Sequence, residues 1–261
     1  MPHLFELRGG SEGPWVLFLA NLSTAAAQLT EKNSELRRSN EALERFAHIA
    51  SHELQEPLRM VASYTQLLSR RYTGRLDADT DEFIAYAVDG TQRMKRLISD
   101  LLLYSRAGVG APPLRELKSE DVLRVALDNL KAAIEESQAV VTFDPLPTLV
   151  AADSQLVRVF QNLVGNAIKY RGDQAPNVHI SAHRSKREWI FSVSDNGIGI
   201  DPKYFDRIFL IFQRLHGREE YEGTGIGVAI CVRILQQQRG RIWVESKLGQ
   251  GSTFHFALPI R

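Results

Sequence analysis

Leucines recur at seven-residue intervals as Leu22, Leu29, Leu36 and Leu43, and Ala26, Asn33, Asn40 and Ala47 each stand four positions later. With the leucines at heptad position d, the second set takes position a. Leucine at d with an occasional asparagine at a predicts a parallel two-stranded coiled coil, the asparagine fixing register and strand number at some cost in stability. Glu, Lys, Arg, Gln and Ser fill the other, solvated positions. A single amphipathic helix packed on its own domain has the same spacing, but a run of heptads with paired asparagines favours the dimer.

The helical pattern meets no breaker from about Leu22 to Pro57 and continues through Met60, Val61, Tyr64, Leu67 and Leu68. A polar break at Thr73–Asp79 contains Gly74. Phe83, Ile84, Ala87, Met94, Leu97, Ile98, Leu101 and Leu102 then form a second helical stripe. It predicts a helix over 80–106, with Asp79 and Thr80 as N-cap candidates. Two long amphipathic helices cannot close a sizeable core alone, whereas two such hairpins make a four-helix bundle.

Residues 1–20 read as two short strands, Leu4–Arg8 and Trp15–Ala20, joined by Gly9, Gly10, Gly13 and Pro14. A lone hairpin is marginal in water, so this segment is expected to be the tail of a sensor domain or to pack on another element. Gly108, Gly110, Pro112 and Pro113 mark a linker. After it the pattern turns mixed. Helices are predicted at 119–136, 154–170 (capped by Asp153 or Ser154) and 225–238, with strands at 140–143, 148–151, 178–184, 188–194, 241–246 and 253–258.

The expected fold class is α plus α/β. A long coiled-coil helix leads into a helical hairpin that dimerises as a four-helix bundle, followed by an α/β sandwich with a largely antiparallel or mixed sheet. The segments are 1–21, the β-hairpin-like piece; 22–45, the coiled coil; 46–110, the hairpin; and 111–261, the α/β domain.

Composition narrows the function. The 261 residues are 44% hydrophobic and 24% charged, with net charge +1. Nothing there suggests a broad surface for nucleic acid or anionic membrane. The single cysteine, Cys231, lies between Ile230 and Val232 and reads as a buried structural thiol. The most apolar early run, Trp15–Ala20, is far shorter than the roughly 20 residues a membrane helix needs, and no signal-peptide pattern is seen. The expectation is a cytoplasmic chain without membrane contact, although a longer native protein could be anchored upstream.

The chemistry begins at Ser51-His52-Glu53-Leu54-Gln55-Glu56-Pro57, inside the helical pattern. His52 offers a ring nitrogen partly neutral near pH 7, Glu53 can take its proton or orient the ring, and Pro57 removes a backbone donor just past them. His48 and His52 stand four apart, but no third metal ligand is placed and HExxH is absent.

A second set of motifs lies in the α/β half. Asn162, Asn166, Lys169 and Tyr170 fall on one helix face, where amide oxygens suit Mg²⁺ and the lysine suits phosphate. Asp195-Asn196-Gly197-Ile198-Gly199 follows a strand; the carboxylate can accept from an exocyclic amine such as that of adenine, and the glycines allow a tight turn against a flat base. Phe205, Phe209 and Phe212 read as packing anchors, and Arg214 leads into a polar segment. Gly223-Thr224-Gly225-Ile226-Gly227 opens a helix, where backbone N–H groups can hold phosphate. Gly249-Gln250-Gly251 lies between the last two strands. The spacing is neither that of a Walker A loop nor that of a dinucleotide GxGxxG.

In this order, and at these separations, the motifs resemble the sensor histidine kinases of two-component systems, and ERFAHIASHELQEPLRMVASY looks like the phytochrome-related, PAS-linked branch. The resemblance covers about Phe46 to the C-terminus. It implies a dimerisation and histidine-phosphotransfer domain over 46–110, then a catalytic ATP-binding domain of the fold shared with gyrase, heat-shock chaperone and mismatch-repair ATPases. It implies ATP and Mg²⁺ as cofactors, a homodimer, and a response-regulator receiver domain as partner. By resemblance His52 is the phosphoacceptor and Glu53 the adjacent acid/base. Asn166 holds Mg²⁺ with Asn162 beside it, and Lys169 and Tyr170 contact nucleotide. Asp195 takes the adenine amine in a pocket shaped by Gly197 and Gly199. Arg214 faces the phosphates, residues 213–224 form the ATP lid, and Gly223, Thr224, Gly225 and Gly227 line the phosphate side. A degenerate kinase acting as a dimeric scaffold, and a plain ATPase of the same superfamily, are the alternatives.

One position departs from the common pattern. Many relatives carry Thr or Asn four residues after the histidine, where this chain has Glu56. A carboxylate there could repel an incoming phospho-aspartate or act as a different base, so weak or altered phosphatase activity is expected. Rapid dephosphorylation of a cognate phospho-regulator that Glu56→Ala abolishes would contradict this.

Overall fold

The computed structural model describes residues 32, 54–55, 57–75, 77–106, 113–215, 221 and 223–261. The expected N-terminal strands, the heptads around Leu22–Leu43, His52, Glu53, Glu56 and most of the linker lie outside the described residues.

Residues 57–72 are helical (α1), and Ala78–Arg106 form α2. The turn between them closes where the polar break falls. Gly74 takes φ +73°, and its N–H donates to Asp81 Oδ2 at 2.8 Å. The cap of α2 differs from expectation: Asp77 Oδ1 accepts the Thr80 N–H at 2.8 Å, so Asp77 does the capping. Hydrogen bonding from Thr80, first from its side chain and then from its backbone N–H, holds the Asp77 carboxyl below the usual aspartate range.

The remaining elements are β1 (Arg115–Lys118), α3 (Ser119–Asn129), α4 (Lys131–Ser137), β2 (Val140–Phe143), β3 (Thr148–Ala151), α5 (Asp153–Lys169), β4 (Asn177–Ser185), β5 (Glu188–Asp195), α6 (Gly227–Gln237), β6 (Arg241–Ser246) and β7 (Ser252–Pro259). The main sheet has order β2-β4-β5-β7-β6. Its β2–β4 pair is parallel and the other pairs are antiparallel, the mixed sheet that the strand spacing implied. β1 and β3 form a separate antiparallel pair.

Alternation along the strands gives the sheet one apolar face. Phe191 and Val193 of β5 pair with Phe256 and Phe254 of β7, all buried. Leu156, Val159, Phe160, Leu163, Val164, Ala167 and Ile168 recur along the buried side of α5 at helical spacing. Phe160 meets Phe191 and Phe256 edge-on at 5.9 and 5.6 Å, and those two rings stack at 4.8 Å. Ile230, Cys231, Ile234 and Leu235 of α6 join this core. Burial pushes the Cys231 thiol up to about 12, so it packs as a small apolar group.

Three further readings need correction. The helix expected over 119–136 is two helices, α3 and α4, because the backbone tightens at Leu130, whose N–H bonds the Leu127 carbonyl. The strand β1 was not foreseen. Neither Asp153 nor Ser154 caps α5: its N-cap is Ala152, with no side-chain cap bond, and Asp153 pairs instead with Arg115.

Candidate nucleotide site

One flank of α5 forms a wall of a cavity of about 230 Å³, lined by Asn162, Asn166, Lys169 and Tyr170, with Ala167 of the buried stripe among them. Asn162 Nδ2 donates to the Arg158 carbonyl at 3.0 Å. Its Oδ1 is thereby turned to the glycine loop, 2.7 Å from where a Cβ at Gly227 would stand. Lys169 Nζ donates to the Tyr170 hydroxyl at 2.8 Å and sits 4.2 Å from that ring's centre. Burial raises the Tyr170 phenol, and the nearby Arg214 charge opposes the rise.

Asp195 ends β5 at the far end of the buried strand pattern. Its Oδ1 accepts the N–H groups of Gly197 at 2.8 Å and Ser252 at 3.1 Å. Among the described residues nothing bonds Oδ2, and Asp195 lines the cavity. Burial lifts its carboxyl above the usual aspartate range, opposed by those two backbone bonds. Ile198, Ile200 and Phe254 give the cavity apolar walls.

The glycines after Asp195 are there for want of room. A Cβ at Gly197 would stand 2.3 Å from the Tyr170 carbonyl oxygen, the atom that accepts the Ile198 N–H at 3.0 Å. Gly199 has φ +70°, and a Cβ there would lie 2.1 Å from the Lys247 carbonyl oxygen. Gly199 lines the cavity; Gly197 is not among the lining residues and serves the turn.

On the other side Gly223, Thr224, Gly225 and Gly227 line the cavity, with Gly227 opening α6. Arg214 also lines it, and its Nη2 donates to the Tyr221 carbonyl. Two further residues belong to this site and were not singled out from sequence. Tyr221 packs its ring 5.1 Å from Tyr170, and its hydroxyl donates to the Arg171 carbonyl at 3.1 Å. Asp100 of α2 lines the cavity and accepts the Thr224 hydroxyl. His52 and Glu53 lie outside the described residues. The arrangement joins an acceptor among apolar walls to two cations, amide oxygens and a glycine-rich helix start, a donor set that fits a purine nucleotide with its phosphates.

Two family models match the chain. Residues 42–110 match the His Kinase A (phospho-acceptor) domain, and residues 151–261 match the histidine kinase-, DNA gyrase B- and HSP90-like ATPase. The chain belongs to the histidine kinases. Cyanobacterial phytochrome A of Nostoc sp. is 53% identical to this kinase chain over 235 residues, which are 90% of the chain and 31% of that relative. The chain thus spans about a third of the length of the first curated relatives it matches. The crystal structure of full-length ShkA in complex with AMPPNP has TM-score 0.64 at 28% identity, covering 82% of this chain and 45% of ShkA. Histidine kinase ThkA in complex with response regulator protein TrrA shares the fold at TM-score 0.59 and 18% identity, covering 88% and 66% of the two chains. Helical hairpin followed by α/β sandwich is therefore the architecture of a histidine kinase.

Proposed function

We propose that this chain transfers the γ-phosphoryl group of ATP to His52 and from there to an aspartate of a response-regulator receiver domain. The observation that carries this reading is Asp195. Its Oδ1 is taken by two backbone donors, which leaves Oδ2, and Asp195 lines the same cavity as Lys169, Arg214 and the glycine loop. The carboxylate would accept the adenine amine. The lysine, the arginine and the N–H groups at the start of α6 would neutralise and orient the phosphates. Asn166, with Asn162 beside it, would hold Mg²⁺, which would supply positive charge against the phosphates.

The transfer itself asks mainly for alignment. A ring nitrogen of His52 forms a bond to the γ-phosphorus while the bond to the β,γ-bridging oxygen breaks and ADP leaves. Glu53 orients the ring or takes its proton. A receiver aspartate then attacks the phosphoryl group, restoring His52.

A homodimer is part of the same proposal. Met60, Val61, Tyr64, Leu67 and Leu68 on α1 and Phe83, Tyr86 and Met94 on α2 are all exposed in the single chain. A second hairpin covering that surface would complete a four-helix bundle. Among the described residues no helix is long and apolar enough to cross a membrane.

Incubation with Mg²⁺ and γ-labelled ATP tests the proposal. Acid-labile, base-stable label on the protein is the expected result, since a phosphorus–nitrogen bond breaks once its nitrogen is protonated. ATP binding without label would favour the dimeric scaffold. Sustained hydrolysis without label would favour the plain ATPase.

A further inference from the structure

Helix α2 belongs to the hairpin, yet its Asp100 forms part of the nucleotide cavity's wall. Asp100 Oδ2 accepts a hydrogen bond from Thr224 Oγ1 at 2.5 Å, and Thr224 stands between Gly223 and Gly225. More than this bond seats the end of α2. Arg233 of α6 lies 4.8 Å from the centre of the Tyr104 ring, and Leu103 and Tyr104 pack against the core of the α/β domain. The carboxylate is therefore held against the glycine loop by apolar packing one turn further along α2.

Backbone N–H groups and the partial positive charge at a helix N-terminus favour phosphate. A carboxylate bonded to the same loop works against that attraction, more strongly the more negative charge the ligand brings to it. Resting on the reading of this cavity as the ATP site, we propose that Asp100 is a specificity-determining residue: seated at the glycine loop, it makes the site discriminate against ATP relative to ADP. ADP ends one phosphoryl group earlier and brings less charge toward Asp100. By reciprocity, ATP weakens the seating of α2 on the loop, whereas ADP leaves it in place. The hairpin end is thus released by the substrate nucleotide and accepted by the product nucleotide.

The test compares the affinities of AMPPNP and ADP, with Mg²⁺ at fixed ionic strength, for the unaltered chain, Asp100→Asn and Asp100→Ala. Asparagine keeps an acceptor for Thr224 and removes the charge. At a separation of about 5 Å and an effective dielectric constant of about 50, between the values for a protein surface and for water, removing that charge corresponds to about a tenfold change. The ratio Kd(AMPPNP)/Kd(ADP) is expected to fall about tenfold in both variants. Equal changes for the two nucleotides would mean that Asp100 only holds α2 in place, and would overturn the proposal. A ratio that moves in Asp100→Ala but not in Asp100→Asn would assign the effect to the hydrogen bond and overturn it as well. If the unaltered chain binds neither nucleotide, the ATP reading of the cavity fails, and this inference fails with it.

Discussion

With His52 replaced by alanine, the chain binds ATP as tightly as the unaltered chain and takes up no phosphoryl label. The two halves of this expectation have separate origins. Among the described residues, those lining the cavity belong to α2 or the α/β domain and already include the groups proposed for base and phosphates, so the imidazole is expected to serve as phosphoryl acceptor and not as a nucleotide contact. The label, by contrast, needs a nitrogen nucleophile, and alanine supplies none. Equilibrium binding and acid–base stability of the label, measured on the same two proteins, check both halves. Label that persists on His52→Ala would identify a different acceptor.

Asp195→Asn lowers affinity for ATP by about a hundredfold, or ~2.8 kcal/mol. The asparagine oxygen can still take the Gly197 and Ser252 N–H groups, so the turn survives. Its amide nitrogen then occupies the place of Oδ2 and presents hydrogens to the adenine amine, setting donor against donor. The same geometry predicts a pH dependence. Because Oδ1 is already bonded, a proton added to Asp195 goes to Oδ2 and turns the acceptor into a donor. Burial lifts this carboxyl above the ordinary aspartate range, so ATP affinity is full above the raised pKa and falls as pH drops through it. That loss begins at higher pH than a solvated aspartate would give, and Asp195→Asn lacks it. Titration of binding against pH for the two proteins decides; identical profiles would remove Asp195 from base recognition.

Much of this site is legible in the sequence because its residues are set by local geometry. Asn162, Asn166 and Lys169 share a face at helical spacing, beside the run of aliphatic residues and Phe160 that the same helix buries. Gly197 and Gly199 stand where no side chain fits, and such positions leave a glycine signature. What is not legible depends on partners far along the chain. β1 is only Arg115–Lys118, without a β-branched residue, and it exists because β3 pairs with it. The split at Leu130 carries no proline or glycine to announce it. Asp100 is one acid among several on α2, distinguished only by Thr224, which lies 124 positions away. The cap of α2 belongs to the same class in miniature: Asp77, Asp79 and Thr80 are all capping residues by type, and only the hydrogen bond selects Asp77.

Helix α6 starts at the glycine loop and carries Arg233 six residues beyond Gly227, roughly 9 Å along its axis. Its middle is gripped by the core through Ile230, Cys231, Ile234 and Leu235. The glycine loop and the cation against the Tyr104 ring thus belong to one helix seated in one core, so the floor of the cavity and the seat of the hairpin's end keep a fixed spacing for as long as the domain stays folded.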